Sequence, residues 1–257
     1  MKFIGTIIGL LFGLVCVAQS DTVVAKVYSW DKSMITSVGK KATSKKLFSG
    51  SGPILSFQQL NGIILHKGKS ITYKADGTGY ERFFIIKKGP VSVNLNDQTT
   101  MLDRGSIIFV LPGDKLNIAN NTHNDVEYYE MNYRSLLPAD PERGKKSGAS
   151  FVMNWNDMVV KKTDKGSTRQ LFDRQTAMLN RFDIHVTQLN EGFNSHPPHT
   201  HKNEEIILML DGNAEMTIAN EHPKANGGDV VFLSSLIPHN LTNVGKTPCL
   251  YFAIQWN

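Results

Sequence analysis

Apolar residues along this chain come in short runs, each closed by turn-forming residues. Phe83-Phe84-Ile85-Ile86, Ile107-Ile108-Phe109-Val110, Ile206-Ile207-Leu208-Met209 and Val230-Val231-Phe232-Leu233 are bounded by Gly, Asn, Asp or Pro. β-branched and aromatic side chains in short blocks fit strands that are half or fully buried. No long stretch sustains a helical period, so the pattern predicts an all-β sandwich or barrel. One apolar stretch differs in kind. It covers residues 3–17, follows Met1-Lys2 and ends at Ala18-Gln19-Ser20. That order reads as a secretory signal peptide over residues 1–20, cleaved near Ser20. The stretch is shorter than the roughly 20 residues of a spanning helix. A lipoprotein anchor at Cys16 is the minor alternative, poorly served by the preceding Gly13-Leu14-Val15.

The strand blocks repeat. Leu47-Phe48 precedes Gly68 by 21 residues, as Leu171-Phe172 precedes Gly192; Gly68 precedes Glu81 by 13, as Gly192 precedes Glu205. Gly105-Ser106-Ile107-Ile108-Phe109-Val110 matches Gly228-Asp229-Val230-Val231-Phe232-Leu233, and aromatic strands close both copies at 128–133 and 250–256. Even the entrances agree, Ser29-Trp30-Asp31 against Asn154-Trp155-Asn156. A steady offset of 123 or 124 residues marks a duplication. The expected organisation is therefore a signal peptide over 1–20, a first domain over 21–137, a polar, Pro- and Gly-containing linker over 138–150, and a second domain over 151–257.

At 257 residues the chain can bury two ordinary cores without covalent staples. Of its two cysteines, Cys16 lies in the signal segment, which leaves Cys249 alone and excludes an internal disulfide in an exported chain. The 28 Lys and Arg against 23 Asp and Glu are scattered, with only short pairs such as Lys87-Lys88 and Lys161-Lys162. That distribution describes a solvated surface and no nucleic-acid face. With the signal removed, no membrane partner is expected either.

Candidate chemistry concentrates in the second copy. His199 and His201 stand two apart on what alternation treats as one strand continuing into 204–210, so both face one side, with Glu205 in the same parity and Glu204 opposite. His239 lies 11 residues after Gly228, past one strand and a turn, and can reach back across a barrel. Three imidazoles and one carboxylate form a ligand set for one divalent transition ion, whether manganese, iron, zinc, nickel or copper, with positions left for water or substrate. Weaker catalytic candidates are His196, before Pro197-Pro198, and Arg181 and His185, whose polar face alternates with Phe182, Ile184 and Val186. That face either lines the cavity and holds an anion or meets solvent. Gln255 and Trp256 close the last strand, Trp256 as core.

These residues resemble the cupin superfamily. Gly192, His199, His201, Glu205 and Gly212 are similar to its first motif, with one extra residue before the first histidine, and Gly228, His239 and Asn243 to its second. Ser234 and Leu236 depart from the proline and glycine frequent in the turn between motifs. The resemblance covers both copies and implies two tandem jelly-roll barrels with the metal inside the second. Carried to the first copy, it sets Ala75, Gly77 and Leu116 against the three histidines and Glu81 against Glu205, which predicts a barrel without metal.

An ion with three neutral ligands and one carboxylate carries a net charge of about +1 and favours a small anionic substrate. The expected function is an exported metal-dependent enzyme acting on a small carboxylate or sugar-derived compound. The resemblance extends to oxalate-metabolising bicupins, quercetin dioxygenases and uronate-processing cupins, and in layout to ureidoglycine aminohydrolases. It leaves dioxygenase, decarboxylase, aminohydrolase and isomerase chemistry open. The competing class is a non-catalytic ligand-binding or sensor protein. The resemblance also implies a homodimer, although two barrels in one chain can satisfy that contact between themselves.

Overall fold

The computed structural model describes residues 21–73 and 79–257. The expected signal peptide, residues 1–20, lies outside the described residues, as do positions 75 and 77 of the first copy. The fold is two β-barrels, each a seven-stranded antiparallel sheet facing a smaller one. In the first barrel the strands Ser70–Tyr73, Leu116–Ala119, Val91–Leu95 and Gln98–Leu102 form the small sheet; in the second it is Lys224–Asn226, Asn213–Ile218 and His239–Asn243. Among the described residues, no helix is long and apolar enough to cross a membrane.

Alternation along each strand sorts side chains into separate cores. In Glu81–Lys88, Phe84 and Ile86 fill the first barrel while Phe83 and Ile85 point to its back; in Glu204–Asp211, Ile207 and Met209 fill the second while Ile206 and Leu208 point backward. The two backs meet. Phe83 packs on Phe182 with centroids 5.6 Å apart, and Phe48 on Phe232 at 5.7 Å. The largest core is thus the seam between the barrels, which makes them one packed body. Trp256 lies in it, fully buried.

The entrances of the two copies are exchanged. Lys26–Tyr28 pairs with Val230–Leu233 at the edge of the second barrel's sheet, and Phe151–Met153 pairs with Ile107–Val110 at the edge of the first. Trp30 N donates to Asp229 Oδ1 at 3.0 Å, and Trp155 N donates to Ser106 Oγ at 2.9 Å. A Cβ on Gly105 would clash with the Trp155 ring, and Gly105 and Gly228 both have positive φ, which glycine adopts without strain.

The stretch 138–150 is more than a tether. It holds a helix, Pro141–Lys146, which the sequence pattern did not announce. Asp140 caps it, accepting from Arg143 N at 2.9 Å, and Pro141 opens the first turn, where its missing N–H costs nothing. The Arg143 guanidinium then donates to the carbonyls of Thr176 and Ala177 and to Asn180 Oδ1, pinning the helix to the second barrel.

Candidate metal centre

His199 and His201 do not share a strand. The strand they were expected to open begins at Glu204, and residues 192–199 run instead along the other sheet. Gly192 turns at φ +77°, Ser195 N donates to Leu241 O at 2.8 Å, and His199 and His239 exchange backbone hydrogen bonds at 3.2 and 3.0 Å. His199 and His239 therefore come from the small sheet's edge, Glu205 from the large sheet, and His201 from the crossing between them. Leu236 N donates to His201 O at 2.8 Å and holds that crossing against the turn before His239. Leu236 itself sits at φ +63°, the left-handed region that the glycine frequent at this place in the family adopts without cost.

The three imidazoles converge. One ring nitrogen from each of His199, His201 and His239 lies within 4.8 Å of the others, a cluster that can hold a metal ion. Ring centroids are 4.7 to 5.3 Å apart. Glu205 Oε2 approaches two of them, 3.2 Å from His201 Nε2 and 3.2 Å from His239 Nε2. Each Nδ1 of that pair is committed elsewhere: His201 to Asn203 O at 3.0 Å and His239 to Ile237 O at 2.8 Å. Only a ring nitrogen bearing hydrogen can bond a carbonyl, so both Nε2 atoms face the carboxylate as lone pairs unless a second proton is added. For His239 the conflict is sharpest, because its Nε2 is buried and makes no hydrogen bond.

The charges follow from this geometry. Burial alone would raise Glu205, but its contacts with His201 and His239 outweigh that and hold it down to about 2. The hydrogen bond that a protonated His201 donates to Glu205 raises His201 despite partial burial. His199 is lowered, first by desolvation and then by the neighbouring histidines. The cluster thus keeps an ionised carboxylate at its centre.

A cavity of about 490 Å³ opens beside the cluster, and His196, His199, Glu205 and His239 line it. His185 lines it too, so the polar face of the strand Phe182–Leu189 enters the cavity at that point. Arg181 does not, and of the two readings left open for it the structure shows the one away from the cavity. Its guanidinium donates to Asp173 at 2.8 Å and to Asp183 at 2.9 Å, an ion-pair group on the surface. His196 stands edge-on to His199 at 4.1 Å between centroids, with Nδ1 3.0 Å from Pro197 O. Gln255 also faces the cavity. Two residues the sequence reading passed over line the wall, Lys165 on a hairpin turn and the buried Tyr251. Tyr251 continues the inward parity of Gln255, which was the available signal; Lys165 had none.

The register also corrects the alignment of the first copy. Glu81 lies opposite Tyr133 and Arg82 opposite Asn132, while Glu204 lies opposite Trp256 and Glu205 opposite Gln255. The counterpart of Glu205 is therefore Arg82, and Glu81 answers to Glu204. The offset slips by one residue between the first glycine and this strand, which turns every side chain to the other face. Glu81 is at the seam, accepting from Thr176 Oγ1 and Ala177 N, both at 2.7 Å, with its acidity weakened by burial. In the first barrel Arg82 donates to Asn132 Oδ1 at 3.1 Å, and Leu116 stands where His239 does in the second. A guanidinium and a leucine offer no lone pairs to a metal.

Residues 185–255 match the cupin domain family. No curated protein matches the sequence. Among solved structures, protein Ylba from E. coli superposes with TM-score 0.69 at 14% identity, covering 90% of each chain. The oxalate decarboxylase of Lactobacillus farciminis, in a formate complex, gives 0.69 at 12%, covering 93% of this chain and 88% of that one. Vicilin from Corylus avellana gives 0.64 at 10%, covering 90% and 85%. The sequence match makes residues 185–255 a cupin domain, and the likenesses show that the whole chain has the fold of two tandem cupin barrels.

Proposed function

We propose that His199, His201, Glu205 and His239 hold one divalent transition ion, and that the protein is an exported metal-dependent enzyme acting on a small organic anion. The observation that carries this reading is the pair of Nε2 atoms, on His201 and His239, each 3.2 Å from one carboxylate oxygen with its Nδ1 already spent on a carbonyl. Three acceptors directed at one point repel unless a cation lies among them. Three imidazoles and a carboxylate suit manganese, iron, zinc, nickel or copper, and a bound ion supplies Lewis acidity to an oxygen of the substrate or to water. The chain's own residues orient the donors: Asn203 O and Ile237 O fix the ring tautomers, as carbonyls behind metal-binding histidines commonly do. The formate in the Lactobacillus farciminis decarboxylase complex supports a carboxylate as the ligand class.

Elemental analysis of the full chain beside a His199→Ala, His201→Ala double variant tests the site. The expected result is about one ion per native chain and loss of it in a variant that keeps its far-ultraviolet spectrum. A native chain without metal, or equal metal in both, overturns the reading. Screening small acids by turnover and by thermal shift separates an enzyme from a binding protein, since a ligand that stabilises and is never consumed marks the latter. Export is read from residues 1–20, and a mature chain beginning at Asp21 is its test. Association into a homodimer is decided by light scattering.

A further inference from the structure

The cavity is lined by both apolar and polar residues. Leu189, Ile207, Met216, Leu241 and Tyr251, all deeply buried, form its apolar part. The hairpin turn joining Lys161–Thr163 to Gly166–Arg174 brings Lys165 into the lining. Lys165 Nζ donates to Asn194 O at 2.9 Å, to Asn194 Oδ1 at 3.1 Å and to Ser195 O at 3.3 Å. All three acceptors are neutral, so they orient the ammonium and leave its charge uncompensated. Among the described residues, no carboxylate forms an ion pair with it. Asp164 also lines the cavity but is exposed, and Glu205 is engaged by His201 and His239.

We infer that this cavity takes an organic acid with an apolar body, its carboxylate received by Lys165 and its other end presented to the histidines. A carboxylate that replaces the amide oxygen of Asn194 on Nζ exchanges a neutral acceptor for a charged one, which is the stronger bond. The apolar wall selects the body. At about 490 Å³ the cavity falls within the ~300–1,000 Å³ of sites that enclose whole organic ligands, well beyond the needs of a two-carbon acid. Which end of the ligand reacts rests on the metal reading given above; the carboxylate subsite rests on Lys165 and the wall.

The probes are 4-phenylbutyrate and its neutral analogue 4-phenylbutanamide, titrated calorimetrically into metal-free and zinc-loaded full-length protein. The native chain is expected to prefer the acid. Lys165→Gln is expected to weaken the acid by about tenfold or more, the worth of one charge-assisted bond, and to leave the amide within about twofold. Lys165→Arg is expected to keep the preference. An unchanged affinity for the acid in Lys165→Gln, or an equal loss of acid and amide, overturns the inference. Zinc content of the same samples reports on the metal separately: a chain that holds no zinc yet prefers the acid through Lys165 sinks the metal reading and keeps this one.

Discussion

His201 and His239 each give one ring nitrogen to a backbone carbonyl and aim the other at a single oxygen of Glu205, so either protons or a metal ion must settle the charge there. The two occupants respond to pH in opposite directions. Without metal, Glu205 has its folded value depressed from 4.5 to about 2, so its contribution is complete above 4.5 and is lost as pH falls toward 2. His201 has its folded value raised from 6.5, so its contribution is complete below 6.5 and is lost as pH rises through the folded value. The metal-free protein is therefore expected to gain most from this pair between pH 4.5 and 6.5. Thermal melts across pH check this, with Glu205→Gln flattening the profile. With metal the slope reverses above that window, because the ion needs the lone pair that a proton would occupy. Zinc retention on dialysis is expected to rise with pH, and retention that is flat from pH 5 to 8 contradicts a histidine-bound ion.

At the scale of elements, the site depends on a loop that changes sheets. Parity predicted His199, His201 and Glu205 on one face of one strand, and the residues do converge, but by another route: 192–199 runs beside His239–Asn243 and 200–203 then crosses to the strand that opens at Glu204. Pro197-Pro198 and the uneven offset were the local hints of that break, and parity across a break carries no information. The same slip hid Arg82. Arg181 stayed open between cavity and solvent for a different reason, since alternation gives a face and cannot say how far along it the cavity extends. In the turn before His239, Leu236 holds φ +63° while 61% exposed, so its side chain contributes little burial. Leu236→Gly is expected to stabilise the protein by about 1 kcal/mol, the usual cost of a left-handed non-glycine residue, raising Tm by roughly 2–4 °C. A lower Tm in that variant would show that the side chain packs against something that binds there.

Across the whole molecule, the duplication and the fold class were plain in the sequence because periodicity and spacing report them directly. The seam was not, because Phe83, Phe109, Phe182 and Ile206 look like any other core residues until the two sheet backs are seen to meet. Phe182 touches Phe83, Phe109, Tyr133 and Phe172, with contributions from both copies. Phe182→Ala is expected to cost about 3–5 kcal/mol and to lower the denaturant midpoint of both barrels together. Separate transitions, with only the second shifted, would show that the seam is not shared energetically.

The exchanged entrance strands set a timetable. Trp30 bonds Asp229 across 199 residues of chain, so Lys26–Tyr28 belongs to a sheet whose other strands are synthesised much later. Contacts that distant slow folding, and the leading segment has to wait, unpaired, for a partner synthesised much later. Neither half can finish its own sheet from its own residues, so a gene cut at the linker would yield two fragments, each with a raw edge that fits only the other.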